Sequence, residues 1–147
     1  MYIGTQDLLK QYDAYLLEHG YQIEELVNLA SDALLNHFTQ YNRFAILIGP
    51  GNNGADGYSL GLKLEKQGKH VIYYYSGDIG KVSQANRYYR DQCEENHLIY
   101  VDEDNINTIN WNDYDCIVDG LFGFGLNSAP RGMYKIIIES IMNNYNG

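Results

Sequence analysis

Apolar residues recur at two different spacings along this chain, and the change of spacing divides it. Over the first 40 residues, Leu8, Leu9, Tyr12 and Leu16 fall on one face of a helix that stops near Gly20. Ile23, Leu26, Ala30, Ala33, Leu34 and His37 mark a second helix at steps of three and four. From residue 43 onward, short apolar runs alternate with helical patterns. Arg43–Ile48 reads as a buried strand, residues 56–68 as a helix and His70–Tyr75 as a strand. Residues 82–96 follow as a helix, 98–101 and 115–119 as strands, and 131–144 as a final helix. Pro130 stands at the entrance of that helix, where a missing N–H costs nothing. Strand–helix–strand alternation predicts an α/β three-layer sandwich, a mostly parallel sheet with helices on both faces, preceded by two leading helices. Nothing in the pattern marks a linker or a repeat, so residues 1–147 read as one domain.

Two features sharpen that prediction. Gly57, Leu60, Gly61, Leu64 and Gly68 recur at helical steps, and the glycines at 57 and 61 weaken a helix by roughly 1 kcal/mol each. Close approach of that helix to the sheet is the compensation expected. Right-handed crossovers then favour the doubly wound, Rossmann-like order in which the third, second, first and fourth strands lie side by side. In that order the segments after the first strand (residues 49–57) and after the fourth (residues 119–132) flank one crevice at the carboxyl ends of the strands, where such sheets bind ligands.

Composition narrows the classes of function. The apolar share of 45% and charged share of 20% belong to a globular domain, and 147 residues suffice for a real core. A net charge of −9 argues against a protein that grips nucleic-acid backbone. Cys93 and Cys116 lie in no metal-ligand spacing and read as reduced thiols. No apolar run approaches the roughly 20 residues that span a bilayer, and no basic-then-apolar leader opens the chain, so a cytoplasmic location without membrane partners is expected.

The crevice segments carry the chemistry. Gly49-Pro50-Gly51-Asn52-Asn53-Gly54-Ala55-Asp56-Gly57 can turn sharply, expose amides and present two carboxamides and a carboxylate. Asp119-Gly120-Leu121-Phe122-Gly123-Phe124-Gly125-Leu126 places a carboxylate at a strand end, followed by glycines that admit close approach of a phosphate or ribose. Asn52, Asn53, Asp56 and Asp119 offer oxygen alone, a set suited to a hard cation or to ribose hydroxyls. Asp56 has a plainer role open to it, charging the N-terminus of its helix. No Lys-Ser or Lys-Thr closes a Walker loop. Residues 49–54 fit GxGxxG, but Tyr73, Tyr74 and Tyr75 occupy the end of the second strand where the acidic partner of that fingerprint stands, which argues against ordinary hydride transfer. His19, His37, His70 and His97 all lie outside the two segments.

These residues resemble the YjeF N-terminal domain family, the NAD(P)H-hydrate epimerases. The resemblance rests on residues 49–57 and on Val-Asp-Gly-Leu-Phe-Gly-Phe-Gly-Leu at 118–126, supported by Pro130, Gly132 and the leading helices. It implies an isomerase of cofactor repair that interconverts the R and S epimers of hydrated NADH and NADPH, working beside an NAD(P)H-hydrate dehydratase. It implies substrate contacts from Asn52, Asn53, Gly54, Ala55 and Asp56, and a dinucleotide wall from Gly123, Phe124, Gly125, Leu126, Asn127, Ser128 and Ala129. It implies potassium on Asn53 and Asp119, with Asp119 the first and Asp56 the second candidate for proton transfer. A homodimer is compatible with it, with residues 2–20 as a candidate partner face.

This sequence departs from the family at Ala55, where glycine is usual; alanine is tolerable if the local φ is negative. The family also continues into a further strand and an Asp-Ile-Pro-Ser-Gly segment, whereas this chain ends at Gly147, so it is expected to be C-terminally truncated relative to the family. The alternative functions are a non-catalytic module binding NADP or ADP-ribose, and an interaction scaffold of the same fold.

Overall fold

The structure, a computed structural model, describes residues 40–49, 52–120 and 132–146, with the backbone alone for Asn52, Asn53, Asp119, Gly120 and Tyr134. The two leading helices and the proposed wall at 123–129 lie outside the described residues.

Among the described residues, four parallel strands form one sheet in the order β3-β2-β1-β4, as the crossover argument predicts. They are β1 (Arg43–Ile48), β2 (His70–Tyr75), β3 (Leu98–Tyr100) and β4 (Cys116–Gly120). Among the described residues three α-helices accompany them: α1 (Asn52–Lys66), α2 (Gln84–Arg90) and α3 (Gly132–Asn144). β1 has a partner on each side, and Phe44 to Ile48 are all nearly inaccessible, which is why the strand reads as a continuous apolar run. Alternation splits its side chains between two cores. Phe44, Ile46 and Ile48 pack with Tyr58, Leu60 and Leu64 of α1 and with Ala85 and Tyr89 of α2. Ala45 and Leu47 pack on the other face with Trp111 and with Ile137 and Ile141 of α3.

The glycines of α1 explain how closely that helix approaches. A Cβ on Gly57 would stand 2.9 Å from Ile48 Cδ1 and 3.0 Å from Ile46 Cγ2, and one on Gly61 only 2.3 Å from Tyr73 Cε1. Gly68 plays a different part. It lies at φ +83° with open space around it, and Lys69 N–H donates to the Leu64 carbonyl at 3.0 Å, so it terminates the helix in a left-handed cap.

Three boundaries differ from the periodicity. α1 starts at Asn52, not residue 56, and asparagine suits a helix start. α2 is Gln84–Arg90 alone, capped by Ser83 Oγ accepting from Asn86 N–H at 3.1 Å; residues 91–93 leave it through tighter bonds from Gln92 N–H to the Tyr89 carbonyl and from Cys93 N–H to the Arg90 carbonyl. β4 starts at Cys116, while the Asp115 carboxylate turns back to accept the N–H groups of Asn42 and Arg43, both at 3.0 Å.

Between β3 and β4, where the pattern predicts no element, two 3₁₀ turns (Ile106–Thr108 and Trp111–Asp113) drop Ile106 and Trp111 into the second core. Trp111 Nε1 donates to Ser140 Oγ at 3.0 Å and so fixes α3 to this connector.

Candidate functional site

The end of β1 is the origin of the site. Leu47 lies in register with Asp119 and Ile48 with Gly120, so the β4 carboxylate residue and the exit of β1 are neighbouring backbone positions, about 4.8 Å apart between strands. The chain leaves Ile48, passes Gly49–Gly51 and enters α1 at Asn52. Both asparagines of the motif therefore sit in the first helical turn, among backbone N–H groups that have no acceptor within the helix. Such a turn, at the carboxyl end of a parallel sheet, favours an anionic group of a ligand.

Gly54 and Ala55 occupy positions with no room for elaboration. A Cβ on Gly54 would lie 2.0 Å from the Gly49 carbonyl oxygen and 2.5 Å from Asn86 Nδ2. Ala55 is fully buried inside α1, and no non-glycine among the described residues has positive φ, so its departure from the usual glycine is accommodated. Asp56 is 2% exposed and falls in the second turn of α1. That overturns the helix-end role, because the helix begins four residues earlier and its first turn holds no acidic residue. Ser59, one turn on, is equally buried.

Sequence reasoning did not single out Asn86. This α2 residue is 1% exposed, and its carboxamide donates to the Gly49 carbonyl at 2.7 Å across 37 positions of chain. The one available signal was a poor helix former placed inside a helical turn.

Other chemistries recede among the described residues. Burial pushes the Cys93 thiol up to about 12 and the Cys116 thiol up to about 11, so neither is a ready thiolate. Burial likewise raises the hydroxyls of Tyr58 and Tyr73 above their ordinary range, which keeps them protonated. His97 sits between Glu65 (3.1 Å) and Glu94 (3.4 Å) ahead of β3, and His70 opens β2, so both imidazoles stand on the amino side of the strands. No group of three or more His, Cys, Asp or Glu residues among those described could hold a metal ion. β2 ends in Tyr73, Tyr74 and Tyr75, with no acid for a ribose. No helix among the described residues is long and apolar enough to cross a membrane.

Comparison with known proteins bears on this arrangement. A family model described as YjeF-related protein N-terminus matches residues 23–146. The NAD(P)H-hydrate epimerase of Anaerococcus prevotii is 33% identical over 123 residues, covering 79% of this chain and 56% of that protein. The NAD(P)H-hydrate epimerase of Entamoeba histolytica is 27% identical over 147 residues, 95% of this chain and 63% of that protein. The chain therefore spans little more than half the length of the first of these relatives. The crystal structure of yeast ynu0, YNL200c, shares the fold with a TM-score of 0.72 at 22% identity, over 99% of this chain and 67% of that one. A family model that covers most of the chain, met by the same fold in the yeast structure, makes this protein a member of the YjeF-related N-terminus family.

Proposed function

We propose that the protein is an NAD(P)H-hydrate epimerase, an isomerase that interconverts the R and S epimers of hydrated NADH and NADPH. The observation that carries this reading is the register of β1 with β4, Leu47 beside Asp119 and Ile48 beside Gly120, next to a helix that begins at Asn52. The names of the two epimerase relatives support it.

In this reading the opening residues of α1, Asn52 to Asp56, contact the hydrated dinucleotide, and residues 123–129 line it. The carbon that inverts carries a hydroxyl beside the ring nitrogen. Protonation of that hydroxyl lets it leave as water while the nitrogen lone pair forms an iminium C=N bond. Water then adds from the opposite face and returns a proton to the acid. A carboxylate that moves this proton contributes about 10²–10⁴-fold; Asp119 is the first candidate for it and Asp56 the second.

The oxygen-only donors of Asn53 and Asp119 suit potassium better than a softer metal, and the histidines on the amino side of the strands offer it nothing. When bound there, the cation supplies positive charge that orders anionic groups at the site. The same reading gives the enzyme an NAD(P)H-hydrate dehydratase as its functional partner and a cytoplasmic setting, which the two free cysteines support.

A coupled assay with the dehydratase tests it, following recovery of the epimer that the dehydratase leaves behind. Full-length protein is expected to accelerate that recovery above the spontaneous rate. No acceleration sinks the enzymatic reading, and binding of NADP or ADP-ribose without turnover identifies a non-catalytic nucleotide module instead.

A further inference from the structure

We infer that Asn86, on a different helix from any of the motif residues, is a positioning residue of the nucleotide site. Its carboxamide holds the Gly49 carbonyl, at the exit of β1 and against the start of α1, in the orientation that ligand binding needs. The inference rests on the nucleotide-binding part of the proposed function.

Three observations converge on one oxygen. The Gly49 carbonyl is the first acceptor after β1 ends, and Gly49 is itself buried. Asn86 Nδ2 donates to it at 2.7 Å from a side chain that is 1% exposed. Gly54 leaves it space, since any Cβ there would stand 2.0 Å from the same oxygen. The carbonyl is thus turned into the seam between α1 and α2, where a buried acceptor needs a donor.

The position of this bond matters more than its strength. A carbonyl dipole presented to an anionic ligand repels it, whereas free N–H groups at a helix start attract it. Holding the Gly49 oxygen into the seam keeps it away from the ligand and sets the path along which Asn52 and Asn53 begin α1. Helix α2 is itself held in place for this task. Ser83 caps it through the Asn86 N–H at 3.1 Å, and Tyr89 anchors it in the first core.

The test is calorimetric titration of ADP-ribose and NADP into full-length protein, comparing wild type, Asn86→Ala and Trp111→Phe. Trp111→Phe weakens packing on the opposite face of the sheet, where it loses the bond to Ser140, and serves as the control for a loss of stability alone. Asn86→Ala is expected to weaken binding about tenfold or more while Trp111→Phe stays within about twofold of wild type. Should Asn86→Ala not fold, Asn86→Ser, too short to reach the Gly49 carbonyl, takes its place. Folded Asn86 variants that bind like wild type overturn the inference, as does equal weakening in the Trp111 control. Wild-type protein that binds neither probe overturns the nucleotide reading itself, which is a different result from a wild type that binds and a variant that binds equally well.

Discussion

Gly54→Ala is the substitution whose sign is most informative. Alanine in an unobstructed helical position stabilises by about 1 kcal/mol relative to glycine. Here the added methyl meets the Gly49 carbonyl oxygen at 2.0 Å and Asn86 Nδ2 at 2.5 Å, both well short of the 3.4 Å at which ordinary contact begins. One contact is backbone, so rotating a side chain cannot relieve it; either α1 lifts from the sheet or the Gly49 peptide turns and abandons its Asn86 donor. Overpacking costs about 1–3 kcal/mol, and a buried carbonyl left without its partner about 1–3 more. Set against the propensity gain, the expected net loss is about 3 kcal/mol. At a urea slope of about 2 kcal/mol per M the unfolding midpoint falls by about 1.5 M. A midpoint equal to or above that of wild type would show that the helix start is not seated against Gly49, and the positioning argument for Asn86 would go with it.

Further outcomes follow from other parts of the molecule. Burial lifts Cys116 from its ordinary 9.0 to about 11 and Cys93 to about 12, and holds Tyr58, Tyr73 and Tyr74 above their ordinary 10.0. The unfolded chain therefore releases these protons first, so their contribution to stability is whole below pH 9 and falls as pH rises from there. A urea midpoint that stays level between about pH 8 and 10.5 contradicts this. Asp115→Ala strips one acceptor from two strand-end amides, Asn42 and Arg43. It should cost about 1 kcal/mol and speed hydrogen exchange at those two positions in particular, since the site is exposed; unchanged exchange there refutes the pinning role. Within the proposed function, Asp119→Asn lowers epimerase kcat by about 10²–10⁴ in the dehydratase-coupled assay, and activity near wild type transfers the proton-carrying role to Asp56.

How much of this protein could be read in one dimension depends on the range over which each feature is decided. Apolar spacing is a property of neighbours one to four residues apart, so it reported the strand–helix alternation, the buried β1 and the glycine face of α1 correctly. Crossover handedness and sheet twist are general to L-amino acids, so the order β3-β2-β1-β4 followed without coordinates. The start of α1 at Asn52 was hidden because four glycines in nine residues look like loop until Gly54 is placed against the Gly49 carbonyl.

The fate of the tyrosines was equally closed to sequence. Tyr58 and Tyr73 pack ring to ring at 5.4 Å in one core, while Tyr74 on the next face meets Trp111 at 5.0 Å and shares a hydroxyl contact with Tyr114. A tyrosine is apolar along its ring and polar at its tip, so only its three-dimensional neighbours decide which end governs. Asn86 is the extreme case. The acceptor it needs lies 37 residues earlier and is brought to it by two strands and two helices, an encounter that packing alone arranges.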